Sequence, residues 1–270
     1  MVTDFIYDNI RLSDLGYAVM SIDGAINNKI DTDSQLSINH VSMMGGKRQP
    51  YASVVYDDPL KMEFFIGKNN CIETASQVEH AYSISVSEMA FLKRWLVRTT
   101  PRKLVIPVDE YNGIYWKGTF NLEEYVFGDE RIGAYLTFEC DAPFGYMEDV
   151  MIRGETDSDN PYYFNCTSDE IGFIYPFMEI VVGQDGNLEL TNSADGRTTI
   201  IKNCSQNEVI TMSDTLQISS SLPSHKICDD FNFEFYRVNS DLVNVENSVE
   251  SNIPIEFTIS YTPYAKAVIV

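Results

Sequence analysis

Residues 101–146, PRKLVIPVDEYNGIYWKGTFNLEEYVFGDERIGAYLTFECDAPFGY, constrain the fold of this chain most. They read as strand, tight turn, strand, loop, strand, and Pro143 closes the run. Residues 103–108 are apolar and β-prone. Residues 109–113 end in Asn112-Gly113, the strongest short hairpin signal, because both central positions of such a turn can take positive φ. Residues 116–120 lead back out. Residues 131–140 form a further strand with Ala134, Leu136 and Phe138 on one face. No side chain in this segment is arranged for chemistry.

The chain has 270 residues, enough for two domains of ordinary size or one large β domain. Its 16 Tyr and 15 Phe lean towards strands and sandwich interiors. Residues 1–4 lack a positive start followed by an apolar run, and no stretch approaches the ~18 apolar residues of a membrane span. The expectation is a soluble protein made in the cytoplasm, with no membrane insertion. Forty acids stand against 19 bases, a formal net charge of −21. That argues against nucleic-acid binding through a basic patch as the main role. Residues 1–146 carry 13 Lys/Arg and 20 Asp/Glu, whereas residues 147–270 carry 6 and 20. The shift supports a domain boundary near Tyr146. Acidity of this kind serves solubility. It also suits the lumen of a conduit, which would repel a passing DNA backbone.

In the first half, residues 5–11 and 15–22 read as short strands, with Asp23-Gly24 as a turn. Residues 35–41, 51–56 and 60–66 are further strands, the last two separated by an Asp57-Asp58-Pro59 turn. Residues 43–50 form a loop by their Gly-Gly and Pro. The one strong helix is residues 87–98, where Met89, Leu92, Trp95 and Leu96 recur at helical spacing. Ser85 and Glu88 have capping-box form, and Lys93, Arg94 and Arg98 sit late, where the helix dipole favours positive charge.

Residues 147–170 are polar and acidic and read as a linker with one strand at 162–165. Beyond Gly172 the pattern becomes regular. Strands are expected at 177–182, 188–191, 197–203, 208–212, 216–219 and 255–261, with an Asp-Gly turn inside 184–187. Residues 231–238 and 242–245 pair less obviously. Short strands at this spacing suggest a sandwich.

Residue patterns that carry chemistry are missing. Gly45-Gly46-Lys47 lacks the hydroxyl residue and upstream glycine of a phosphate loop. Asp157-x-Asp159 starts like a calcium loop, but Pro161 breaks it. The acidic pairs Asp57/Asp58, Asp109/Glu110, Glu123/Glu124 and Asp229/Asp230 read as surface charge beside turns. His40, His80 and His225 are far apart, and none has a Cys or carboxylate at ligand spacing. No G-x-S-x-G elbow occurs. Cys71, Cys140, Cys166, Cys204 and Cys228 form no close pair, so buried free thiols are expected rather than disulfides or zinc. Asn165 and Asn203 head N-x-S/T sequons that mean nothing without secretion. Trp95 and Trp116 read as core. The chain is thus expected to have no catalytic residues, metal or cofactor.

The order of these landmarks resembles the distal tail proteins of long, non-contractile-tailed bacteriophages. There an R-x-L strand leads to W-x-G-x-F and then to T-F-E-C-x-x-P-F-x-Y. Here the matches are Arg102/Leu104, Trp116/Gly118/Phe120 and Thr137 through Tyr146. An early G-Y-x-V segment matches Gly16-Tyr17-Ala18-Val19, and E-x-x-x-I-x-x-W-L matches Glu88, Leu92, Trp95 and Leu96. The resemblance implies a mainly β fold. An N-terminal β-sandwich or barrel with one α-helix (residues 1–146) would form a ring. A C-terminal galectin-like β-sandwich (residues 147–270) would follow, its last strand free to return towards the first domain. It further implies a homohexameric ring at the virion tail tip. The ring would join the tail-tube protein to a tail-tip hub or tail-associated protein around a channel for DNA. Receptor-binding proteins would dock on the C-terminal domain. The binding set of sugar-binding galectins is not found, and no Trp follows residue 116. Met43, Met44, Gly45, Gly46, Lys47 and Arg48 are the candidate ring-contact loop, with an ordinary surface loop as the alternative.

Two other readings stay open from sequence. A carbohydrate-binding adhesin module would be a monomer with glycan affinity. A glycan-degrading enzyme would need a cleft with two facing carboxylates.

Overall fold

The computed structural model describes residues 2–20, 36–40, 51–56, 58–69, 82–241 and 246–266. The chain divides into two compact units. One comprises Met1–Tyr146 with Lys266–Val270, the other Met147–Ala265.

The first unit is built on an antiparallel sheet. Across it run Ile10–Arg11, Ile6–Tyr7, Arg102–Val105, Ile114–Phe127, Glu130–Cys140, Lys61–Lys68 and Tyr17–Val19, in that order. Leu36–His40 and Tyr51–Tyr56 pair as a separate hairpin. Residues 5–11 are two short strands rather than one. Asp8 and Asn9 both take positive φ, 50° and 64°, which is the two-residue turn that matches strand twist. The Asn112-Gly113 signal resolves differently. Asn112 has φ −60° and ψ 127° while Gly113 has φ +80°, so only the glycine is left-handed. A 3-10 turn over Asp109–Tyr111 precedes it, so the two strands are joined through residues 106–113 rather than by a tight hairpin. The tight hairpin lies further on. Phe127 faces Glu130 across Gly128 (φ +63°) and Asp129.

The helix spans Val86–Leu96 and has the full capping box. Ser85 Oγ accepts from the Glu88 N–H at 3.3 Å, and Glu88 Oε2 accepts from the Ser85 N–H at 2.7 Å. Met89, Leu92, Trp95 and Leu96 are buried, as their spacing requires. The helix stops short of Arg98 because Val97 is extended, and Arg98 Nε donates to the Trp95 carbonyl at 2.9 Å. The core is aromatic. Phe5 contacts Phe64 and Phe120 at ring-centroid distances of 5.6 and 5.4 Å. Tyr7 meets Phe120 edge-on at 4.9 Å. Trp95 and Trp116 are both buried in it.

The second unit is a β-sandwich. One sheet runs Val150–Thr156, Ile255–Tyr261, Phe177–Val182, Val209–Met212 and Ile218–Ser220; the other runs Tyr162–Asn165, Glu246–Ser251, Gly186–Thr191 and Thr198–Cys204. One buried cluster joins them, with Met178, Ile180, Val182 and Ile259 from the first and Leu188, Leu190, Ile201 and Val249 from the second. Three sequence expectations change here. The stretch read as a linker holds a strand, Val150–Thr156, paired along its whole length with Ile255–Tyr261. The Asp185-Gly186 turn carries the chain between sheets and does not close a hairpin.

Residues 231–238 form almost no strand: Phe231 makes a single bridge to Ile201, and Val238–Asn239 pairs with Phe173–Ile174. Side chains hold this segment instead. Tyr236 Oη donates to the Ser248 carbonyl at 2.8 Å, and buried Asn192 donates to the Arg237 carbonyl at 2.9 Å and to Asn247 Oδ1 at 2.7 Å. Backbone groups satisfied in this way need no ladder. Residues 242–245 lie outside the described residues. Cys140 and Cys204 are buried thiols as expected, but Cys166 is half-buried and Cys228 is exposed. Burial pushes the Cys204 thiol up to about 11.

Candidate functional site: a projecting hairpin with an aromatic face

Ile114–Phe127 and Glu130–Cys140 are the longest strands and pair from Gly118–Cys140 out to Phe127–Glu130. Near Phe120 and Phe138 one face of this pair is core. Beyond Leu122 the outgoing strand is exposed or half-buried, while Gly133 and Ala134 on the returning strand stay buried, so the hairpin leaves the core only at its tip, residues 126–131. Residues 121–130 read from sequence as the loop between two strands, but both strands run on through them to the Gly128-Asp129 turn. The tip of this arm exposes Val126 at 51% and Phe127 at 71%.

On the face away from the core, three rings cluster. Phe65 and Tyr135 are directly opposite, with centroids 5.0 Å apart, and Tyr125 meets them edge-on at 5.5 and 5.6 Å. Gly133 makes room for this. A Cβ there would lie 2.4 Å from the end of the Phe65 ring. The Phe65 ring therefore lies over a glycine, with Tyr125 standing perpendicular to it and to Tyr135. Tyr135 remains 44% exposed.

The arm is braced at its base. Glu124 accepts from helix residue Lys93 and from Arg131, each at 2.6 Å. The hydrogen bond from Lys93, then that from Arg131, holds the Glu124 carboxyl below its usual range. Glu123/Glu124 thus lie inside a strand, not beside a turn as the sequence suggested. Exposed apolar groups on a braced element are the pattern of an interface residue set.

The other candidates separate cleanly. Met43 through Arg48, His80, Asp57 and Cys71 lie outside the described residues, so the proposed contact loop has no structural account. Asp157 Oδ1 accepts from the Asp159 and Asn160 N–H groups at 2.8 and 2.9 Å, which is a solvated Asx turn. No group of three or more His, Cys, Asp or Glu able to hold a metal occurs among the described residues. No described helix is long and apolar enough to cross a membrane.

Sequence reasoning missed one constellation. His225 Nδ1 lies 2.5 Å from Glu208 Oε1, and Nε2 lies 3.4 Å from Asp230 Oδ2. Glu208 is fully buried, and its carboxylate also accepts from Ser220 Oγ and from the Ser205 N–H at 2.9 Å. Only the fold brings these residues together; Glu208 is 17 positions from His225. Ser220 donates to Glu208 and not to an imidazole base, so no nucleophile is activated. The group clamps residues 205–230. Burial pushes the Glu208 carboxyl up, but hydrogen bonds from Ser220, His225 and Ser205 outweigh it and hold the group below its usual value.

The sign of the linkage follows. Glu208 stabilises fully above the unfolded carboxylate pKa of ~4.3, and that stability drains away as pH falls through its lower folded value. Near-UV circular dichroism followed from neutral pH into acid should show the second unit loosening. Glu208→Gln should lower stability at neutral pH and flatten the acid dependence; an acid profile identical to wild type would contradict the assignment.

No curated protein matches the sequence. The fold is shared with the SPP1 Dit (gp 19.1) protein, whose crystal structure is titled a paradigm of the hub adsorption apparatus in Gram-positive infecting phages. The match has a TM-score of 0.66 at 12% identity and covers 97% of this chain and 99% of that one. A phage tail protein N-terminal domain family matches residues 1–142, and a phage tail C-terminal domain family matches residues 144–261. With both halves of its sequence claimed in order, the chain belongs to this family of phage tail proteins.

Proposed function

We propose that this protein is the distal tail component of a siphophage: a homohexameric ring at the tail tip. The ring joins the tail tube to the tail-tip hub, or to a tail-associated protein, and leaves a central channel for DNA. The hairpin tip with its adjacent exposed Val126 and Phe127 carries the reading, because apolar side chains held out on a braced turn suit burial against a neighbouring copy. The correspondence with SPP1 Dit along nearly the whole chain supports it. A heterologous contact repeated around a closed ring satisfies such an arm on every copy. The net charge of −21 per chain suits a lumen through which a polyanion must slide.

The first unit, residues 1–146, forms the ring, and the second, residues 147–270, faces outward to receive a receptor-binding protein. The chain is made in the host cytoplasm and has a structural rather than catalytic task. Immunogold labelling of virions that carry this chain tests the placement. Label confined to the tail tip is the expected result; label along the tube or on the head would overturn it.

A further inference from the structure

Lys103 and Lys117 stand directly opposite each other on neighbouring antiparallel strands of the first unit. Like charges so placed destabilise a sheet. Neither forms an ion pair with any described carboxylate, in a chain where acids outnumber bases 40 to 19. Both lean instead on tyrosine rings. Lys103 Nζ lies 4.1 Å from the Tyr115 centroid, and Lys117 Nζ lies 5.7 Å from Tyr115 and 4.9 Å from Tyr146. Tyr115 and Tyr146 stack at 5.5 Å. The rings hold two ammonium groups in a fixed pose while their N–H donors stay exposed.

We propose that this cation shelf is a docking site for an acidic, extended segment of a partner protein, taken through carboxylates spaced along one strand face. Charge complementarity points to carboxylates, and the pre-set lysines reduce the ordering cost of binding. A continuous polyanion fits less well. Asp141, which accepts from Tyr146 Oη at 2.9 Å, and Glu139, paired with Lys61 at 4.0 Å, flank the shelf with negative charge. A nucleic-acid backbone running across it would meet both. The site lies apart from the aromatic arm and does not depend on ring formation.

The test is fluorescence anisotropy with a labelled alternating Glu-Thr octapeptide and, separately, a labelled oligo-dT strand, each at low and moderate salt. The full-length chain should bind the peptide, salt-sensitively, and should not bind oligo-dT. Lys103→Gln with Lys117→Gln should weaken the peptide by about tenfold, since two exposed charge contacts are removed. Lys61→Gln should not. Equal peptide affinity in wild type and the double variant, or no peptide binding at all, would overturn the proposal. Oligo-dT binding with the same lysine dependence would overturn it in favour of nucleic acid. The double variant should melt at or above the wild-type temperature, because it relieves a repulsion.

Discussion

Trp116→Ala is expected to cost the first unit about 3–5 kcal/mol, the range for emptying a large aromatic site. Small domains hold only about 5–15 kcal/mol in total, so the variant should sit near or past its unfolding threshold. Trp116 is fully buried and meets the Tyr111 ring edge-on at 5.9 Å. Its indole N–H has no hydrogen-bond partner among the described residues, so the loss is packing and leaves no polar group stranded. Gly145 leaves room for the indole, since a Cβ there would lie 2.9 Å from Nε1. Denaturant unfolding followed by fluorescence of Trp95, the other of the two tryptophans, measures the effect. A midpoint within error of wild type would place Trp116 outside the core.

The second large effect is on assembly. Val126→Ser with Phe127→Ser at the arm's tip should leave each copy folded, because both side chains are mostly exposed and surface changes usually stay within about 0.5 kcal/mol. Burying a Val or Phe contributes about 1.5–3 kcal/mol, so losing both at each contact should weaken association by at least two orders of magnitude. Sedimentation velocity over a concentration series reads this directly. Assembly unchanged in the double variant would move the interface off the arm.

Much of the fold was legible because local and tertiary demands agree. The helix announced itself through Ser85, Glu88 and the spacing of Met89, Leu92, Trp95 and Leu96, and each plays the expected part. Ile255–Tyr261 alternates buried and half-buried or exposed along its length and appears where its pattern put it. The W-x-G-x-F landmark gains a physical reason. Trp116 and Phe120 point into the core, and Gly118 lies so close to the neighbouring strand that a Cβ would fall 2.2 Å from the Glu139 carbonyl oxygen.

What stayed hidden had a common cause. The outgoing strand lacks a buried face beyond Leu122, so Glu123 through Phe127 show no period. Val150–Thr156 alternates exposed with half-buried residues, and its polar composition passed for a linker. The clamp of Glu208, Ser220, His225 and Asp230 depends on contacts across the fold that no spacing encodes. The Asn192–Asn247–Ser248 network replaces strand pairing with side-chain bonds, which a strand pattern cannot foretell.

The central claim is that the chain closes on itself through its first unit. Light scattering on the purified full-length chain, coupled to size exclusion and run across concentration, tests it most directly. The expected result is a mass of about six chains that falls towards one in the Val126→Ser, Phe127→Ser variant. A wild-type mass of a single 30.7 kDa chain at every concentration would contradict it.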